Sequence, residues 1–158
     1  MMNDMKPEDI AGEFREVTLD LFGSMQRKVL YTEIETPYPD GKLIVSTTDP
    51  NGVITHANQA FVDMSGYSEA ELIGSPHSIL RHPDMPPAAF KDLWDTVKQG
   101  EKWQGFVKNL RKDGGYYWVK ATVIPNIRKG VVVGYTSVRR KPSRTKVEEC
   151  SKLYPTLF

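Results

Sequence analysis

The sequence has one cysteine, Cys150, and three histidines among its 158 residues. A single thiol excludes an intrachain disulfide, a cysteine-based zinc site and an iron–sulfur cluster. No apolar run approaches the roughly 20 residues that a membrane-spanning helix needs, and the N-terminus lacks the basic and apolar regions of a secretory signal. We therefore expect a cytoplasmic protein with no membrane segment in this chain.

The sequence also lacks a surplus of charge of either sign, because it has 21 basic and 20 acidic residues and a net charge of +1. This balance argues against the basic face that binds nucleic acid. The sequence shows neither the residue order of a Ser-His-Asp hydrolase nor a glycine-rich phosphate loop, so we expect no enzyme activity. The 39% hydrophobic and 26% charged residues are typical of a folded protein, and the length fits one domain.

The first 35 residues carry apolar side chains at steps of three or four, at Ile10, Phe14, Val17, Leu21, Met25 and Val29. This spacing predicts an amphipathic helix from Pro7 to Thr32. We expect the helix either to cover the sheet of the main domain or to pair with a second copy in a homodimer. Two prolines and an Asp-Gly pair within Glu35–Gly41 end the pattern and mark a domain boundary.

Residues 36–142 form the predicted main domain. β-branched runs on either side of Asp49–Gly52 predict a hairpin. Short helices follow, and then three strands lie between Trp103 and Arg140, separated by Gly-containing turns. This order predicts an α+β domain with a five-stranded antiparallel sheet and short helices on one face. The tail, residues 143–158, includes a short predicted helix.

Two stretches carry a resemblance to a known family. His77–Asp84 reads His-Ser-Ile-Leu-Arg-His-Pro-Asp, and Trp103-Gln104-Gly105 is followed by Lys108-Asn109. Together with Gly52–Asn58, these stretches make the segment from about Ile44 to Lys141 resemble a PAS sensory domain, and specifically the FAD-binding PAS domain of bacterial aerotaxis receptors. The resemblance implies the PAS fold and a redox- or oxygen-responsive signalling function, with FAD held non-covalently.

The resemblance also implies a signalling partner. Aerotaxis receptors continue after the PAS domain into membrane and methyl-accepting signalling segments. We therefore expect output to a partner chain or to a downstream chemotaxis-type module. The apolar stripe of the N-terminal helix, independently of the resemblance, makes that helix the expected homodimer interface. The alternative function is that of a cofactor-free PAS module that dimerises through the same helix.

The Arg-His-Pro-Asp stretch supplies three candidate contacts to FAD. Arg81 offers a planar fork of donors that suits the pyrophosphate. His82 can donate to a phosphate oxygen or a ring carbonyl. Asp84 can accept from a ribose hydroxyl or hold His82 in one tautomer. The structural alternative is that Asp84 caps the helix that follows it.

Four further residues are candidate contacts to the flavin ring. The indole of Trp103 can stack on it, whereas Asn58 and Asn109 can hydrogen-bond its edge. Tyr117 is expected to line the same cleft. The alternatives are that Trp103 is a core or sheet-face aromatic, as we expect of Trp118, and that Asn58 caps the helix after the second strand.

Other cofactors have less support in the sequence. Only the family resemblance favours FAD over FMN as the bound cofactor. Haem needs an axial histidine, and the predicted helix Ala88–Gln99 contains none. His77, His82 and Asp84 lack the spacing of a zinc site. The middle helices contain no cysteine, which excludes the flavin–cysteine adduct of light-sensing PAS relatives. A flavin enzyme is a further alternative, but we find no acid–base pair for it.

Overall fold

The computed structural model describes residues 2–21 and 25–158. Its strands are β1 (Arg15–Asp20), β2 (Gln26–Tyr31), β3 (Ile44–Thr48), β4 (Ile54–Ala57), β5 (Trp103–Leu110), β6 (Tyr116–Arg128) and β7 (Val131–Arg140). Its α-helices are α1 (Gln59–Ser65), α2 (Glu69–Leu72), α3 (Pro87–Lys98) and α4 (Arg144–Leu153). Short 3₁₀ turns lie at Pro7–Asp9, His77–Leu80 and Tyr154–Leu157.

Strands β3 to β7 form one antiparallel sheet in the order β4-β3-β7-β6-β5, which confirms the predicted five-stranded sheet. β3 pairs both with its hairpin partner β4 and with the last strand, β7. The turn that joins β6 to β7 has positive φ at Lys129 (51°) and at Gly130 (78°). That pair of angles belongs to a type I′ turn, whose twist matches the twist of the strands it joins.

The short helices lie on one face of this sheet, as predicted. Asn58 caps α1 by accepting from the Phe61 backbone N–H, and Ser68 and Glu71 form a reciprocal capping box at α2. Inward side chains of the strands meet the apolar sides of these helices in one core, in which Phe61 and Leu72 are fully buried.

Helix α4 packs on the opposite face of the sheet. Ser143 caps its first turn, and Val147 and Cys150 are buried against Trp118 of β6. The side chain of Trp118 therefore lies on the outer face, as the sequence predicted for a sheet-face aromatic. In the part of the chain that the structure describes, no helix combines the length and hydropathy needed to cross a bilayer.

The prediction of an N-terminal helix is wrong. β1 and β2 form an antiparallel hairpin instead, with Val17 opposite Val29, and the only helical residues preceding it in the described segment 2–21 are Pro7–Asp9. The predicted helix also crossed residues 22–24, which lie outside the described residues. We call residues 2–21 and 25–35 the N-terminal hairpin segment.

The physical reason for this error is that a step of four residues fits both helix and strand. Positions four apart share a face of a helix, but four is also a multiple of the two-residue period of a strand. The observed burial follows the shorter period: Val29 is fully buried, whereas the predicted stripe members Phe14 and Met25 are 42% and 49% exposed. The predicted homodimer interface was this helix, so that prediction has no structural basis once the segment is a hairpin.

Candidate ligand-binding site

An internal cavity lies between the inner face of the sheet and the segment from the 3₁₀ turn His77–Leu80 to α3. With the solvent space at its open mouth included, the gap between its walls amounts to about 960 Å³. Most of its wall is apolar or aromatic, with contributions from Phe90, Leu93, Trp94, Trp103, Val119 and Tyr135. A flat organic ring system therefore suits the space better than a hydrated ion does.

The most buried polar group of the wall is the guanidinium of Arg139. Its side chain is only 2% exposed, and it donates to Ser46 Oγ at 2.7 Å and to His77 Nε2 at 2.9 Å. The guanidinium also lies over the ring of Phe61, with 4.5 Å between Cζ and the ring centroid. Arg139 on β7 thus joins Ser46 on β3 to the turn on the other side of the core.

Among the described residues, no carboxylate pairs with this cation. Within residues 2–21 and 25–158, none of the ion pairs involves Arg139, and its Nε has no hydrogen-bond partner. Burial lowers the pKa of Arg139 to about 10, which leaves the side chain charged at neutral pH. A buried positive charge therefore lines the cavity and has donor capacity to spare.

His77 is neutral beside it. Its ring is stacked on Phe61, 5.9 Å away between centroids, and desolvation, followed by the nearby Arg139 charge, lowers its pKa to about 3. Because arginine is only a donor, Nε2 of His77 accepts, and the ring proton is assigned to Nδ1.

Arg81 and Asn109 line the same cavity. The two residues are paired by an isolated antiparallel bridge, which places the Arg-His-Pro-Asp stretch against β5. The side chain of Arg81 is half-buried, and its Cζ lies 4.5 Å from the centroid of the Phe90 ring. Asn109 is 5% exposed. Of the predicted phosphate contacts, Arg81 is the one that lines the cavity.

His82 lies on the opposite side of that stretch, outside the cavity lining. It is 1% exposed and packs edge-on between Tyr31 of β2 and Tyr116 of β6. Its Nδ1 accepts from the Asp84 backbone N–H at 3.0 Å. Desolvation, together with the nearby Lys108 charge, lowers the pKa of His82 to about 3, so the buried ring is neutral.

Asp84 is likewise away from the cavity lining. Its Oδ2 accepts from Lys108 Nζ at 2.8 Å, and none of the described side chains caps α3, which begins after Pro86. The alternative of a helix-capping Asp84 is therefore wrong. Its carboxylate instead ties the stretch to β5.

Trp103 lines the cavity and is 8% exposed. Its indole N–H donates to Asp92 Oδ2 on α3 at 2.8 Å. This bond connects the first residue of β5 to α3, which also contributes side chains to the cavity wall. Trp103 therefore belongs to the core, as the structural alternative predicted, and it also lines the cavity, because the core and the cavity share this wall. Its contact with a flavin stays a prediction.

Asn58 and Tyr117 are not among the lining residues. The Asn58 side chain caps α1 and also bridges to the β3 region, by accepting from Val45 N–H and donating to Leu43 O, as the structural alternative predicted. Tyr117 is fully buried opposite Asn109 in the β5–β6 register. Burial raises the pKa of Tyr117 to about 12, so the phenol remains protonated.

Sequence reasoning missed Arg139 and did not assign His77 to this cluster. A signal for Arg139 exists in the sequence: Tyr135, Ser137 and Arg139 alternate on β7, so an arginine occupies a position that faces inward. Its partners are 62 and 93 residues away in the chain, and no local pattern reveals them.

Comparison with known proteins identifies the fold family. A family model described as PAS fold matches residues 54–139. The chain belongs to the PAS family. The aerotaxis receptor of Escherichia coli (strain K12) is 48% identical over 126 residues, which cover 80% of this chain and 25% of the receptor. The nitrogen fixation regulatory protein of Klebsiella pneumoniae is 29% identical over 141 residues, or 89% of this chain and 26% of that protein.

Solved structures agree with the PAS assignment. A light-oxygen-voltage domain studied with a flavin analogue superposes with a TM-score of 0.61 at 26% identity, over 72% of this chain and 86% of that one. The light-state light-oxygen-voltage domain of Aureochrome1 gives 0.61 at 25% identity, over 72% and 88%. This chain is therefore a PAS domain of the signal-transduction type, and it spans about a quarter of the length of the curated relatives named here.

Proposed function

We propose that this PAS domain binds FAD non-covalently in the cavity and signals the redox state of the flavin. The observation that carries the proposal is the buried guanidinium of Arg139, which lines an aromatic cavity without a carboxylate partner among residues 2–21 and 25–158. A buried cation is costly unless acceptors meet it. The carbonyl and nitrogen atoms at the edge of an isoalloxazine ring are such acceptors, so the residues present fit the group.

The remaining wall supports the same ligand class. Trp103, Phe90 and Trp94 offer flat apolar surfaces to a ring system. Asn109 has an amide that can match the alternating donors and acceptors of the ring edge. Asn58 and Tyr117 are withdrawn from the proposed contact set because neither lines the cavity.

The electrostatics of the cavity favour added negative charge. A bound flavin supplies electron and proton transfer. Arg139 stabilises negative charge next to it because the cation lies in a low-dielectric interior. His77 accepts from the guanidinium and so holds it in place without adding a competing charge.

Arg139 also offers a route from the cavity to the sheet. It belongs to β7, and its hydrogen bonds reach Ser46 on β3 and the turn at His77. A ligand whose charge differs between two states accepts hydrogen bonds of different strength from the Arg139 donors. Signalling requires such a difference in contacts between the two states. The central strands are therefore the proposed path of output to a partner chain or a chemotaxis-type module in the cytoplasm. We propose a signalling role and no enzyme activity.

Arg81 is the proposed contact to the phosphates. Its half-buried guanidinium lines the cavity, stacked on Phe90, and its donor fork suits a pyrophosphate. FMN, with one phosphate, is the alternative ligand. Haem is less well supported, because Nε2 of His77, a histidine of the wall, already accepts from Arg139 and an axial ligand needs a free lone pair.

The first test is the visible spectrum of the purified full chain, followed by release of the cofactor and measurement of its mass. We expect flavin absorption and the mass of FAD. Recovery of FMN would change the cofactor and leave the site in place. A colourless protein that binds neither added FAD nor FMN would overturn the proposal and leave a cofactor-free PAS interaction module.

A further inference from the structure

Trp103 is fixed from two sides. Its indole N–H donates to Asp92 Oδ2 of α3 at 2.8 Å, although Asp92 itself is exposed. The indole is 8% exposed and forms part of the cavity wall. A single surface carboxylate therefore holds a buried aromatic ring at the place where α3 meets β5.

The second constraint is a glycine on the same strand. Gly105 lies two residues after Trp103 and so faces the same side of β5. A Cβ at Gly105 would overlap the indole ring of Trp103. The absence of that atom leaves the space that the ring occupies. Any larger residue would force the indole to move.

We propose that Asp92 is the positioning residue for Trp103, and that Asp92 and Gly105 together set the aromatic wall against which the flavin ring rests. This inference rests on the proposed function. Asp92 acts through the indole N–H and does not itself line the cavity. The link also attaches α3, which bears Phe90 on the same wall, to the strand that bears Asn109.

The test measures FAD affinity and the fluorescence of the bound flavin in purified full-length variants. Asp92→Ala removes the acceptor, so we expect FAD to bind about tenfold more weakly, the size of one hydrogen bond to a charged group. We expect its fluorescence to rise, because an indole held against a flavin quenches it by electron donation. Asp92→Asn keeps an acceptor oxygen and should restore affinity to within about threefold of the original.

Two controls separate positioning from a general effect on the fold. Asp95→Ala removes another exposed carboxylate of α3, which pairs with Lys91 at 2.6 Å, and it should change neither readout. In a Trp103→Phe background there is no indole N–H, so Asp92→Ala should have no further effect on affinity. Equal losses in Asp92→Ala and Asp95→Ala, or an undiminished loss in the Trp103→Phe background, would overturn the inference.

Gly105→Ala provides an independent arm. The added methyl group should displace the indole from its position in the cavity wall and lower FAD affinity by at least as much as Asp92→Ala does. Unchanged affinity in Gly105→Ala would contradict the proposed wall. If the unaltered protein binds no flavin, the proposed function fails; if it binds FAD and these variants bind equally well, only the positioning role fails.

Discussion

Arg139 and His77, 62 residues apart in the chain, meet across the core at 2.9 Å. The arginine keeps its charge and the histidine is neutral, because burial and the arginine's own charge lower the pKa of His77 to about 3. The pair is therefore a polarised donor–acceptor unit whose net charge of +1 faces the cavity. This relationship leads to the first prediction.

Replacing Arg139 by glutamine should make the bound flavin harder to reduce. Glutamine retains hydrogen-bonding atoms but removes the charge that stabilises added electrons. A loss of about 2 kcal/mol of electrostatic stabilisation corresponds to a reduction potential about 40 mV more negative for a two-electron couple. The measurement is a spectroscopic redox titration against a reference dye.

The neighbouring Arg140, which is exposed on the same strand, provides the matched control. Arg140→Gln removes an equal charge from β7 at the protein surface, where solvent screens it. It should leave the potential within a few millivolts of the original value. An equal shift in both variants would mean that overall charge, and not the buried guanidinium, sets the potential.

The stability of the domain should fall in mild acid. The pKa of His77 and that of His82 are both lowered to about 3, so the folded state binds fewer protons than the unfolded one below pH 6.5. The stability that these two neutral imidazole rings contribute to the folded state is fully present above about pH 6.5. It is lost progressively as the pH falls toward 3. For each of the two histidines, the unfolding free energy should fall by up to about 1.4 kcal/mol for every pH unit of acidification in that window.

Denaturant titrations between pH 6.5 and 4.5 test this, because most carboxylates stay ionised there. His82→Phe keeps an aromatic ring between Tyr31 and Tyr116 and should reduce the slope of stability against pH by about half. His56 is exposed on β4, so His56→Gln should retain the full slope. A full slope in His82→Phe would show that the proton is taken up elsewhere.

Much of the fold could be predicted because its signals are local. Turn residues such as Lys129-Gly130 and the capping box of Ser68 and Glu71 act within a few residues of the chain. The N-terminal hairpin segment was mispredicted because its stabilising contacts are distant. Met5 N–H donates to Lys28 O, and Thr32 N–H donates to Gly114 O. A four-residue apolar step does not contain that information.

The residues of the candidate site also differ in whether local sequence signals predict them. Arg81, Trp103 and Asn109 were predicted through motif resemblance and line the cavity. The motif predicts a ligand contact for His82 as well as for its neighbour Arg81, but the extended backbone there turns adjacent side chains to opposite sides. Arg139 could not be assigned because its role depends on the folded sheet, which brings β3 and β7 together.

Arg81→Ala should weaken the binding of FAD by about tenfold or more, the size of a lost charge-assisted hydrogen bond. It should leave riboflavin, which carries no phosphate, within about twofold, because the ring subsite is formed by other residues. Titration of both ligands into the apoprotein by fluorescence measures the ratio directly. Arg128→Ala, which removes an exposed cation from the end of β6, should change neither affinity. Equal weakening of FAD and riboflavin by Arg81→Ala would place its role at the ring or in folding.

Arg27→Ala should loosen the N-terminal hairpin segment from the rest of the domain. The guanidinium of Arg27 is 4% exposed and donates to Asn3 O at 2.9 Å, Ile79 O at 2.8 Å and Tyr67 Oη at 3.1 Å. Its removal leaves buried acceptors unpaired, at a cost of about 1–3 kcal/mol in unfolding free energy. We expect faster amide hydrogen exchange across β1 and β2.

Lys28→Ala is the control for this prediction, because Lys28 follows Arg27 on β2 but has a half-exposed side chain, 3.6 Å from Glu16. Such a surface pair contributes little to stability, so exchange in the hairpin should remain slow. Ile79 comes two residues before Arg81, and the bond from Arg27 to its carbonyl therefore ties β2 to the cavity wall. If Arg27→Ala left hairpin exchange as slow as Lys28→Ala does, the hairpin would be held by its apolar contacts with Leu110 and not by the arginine.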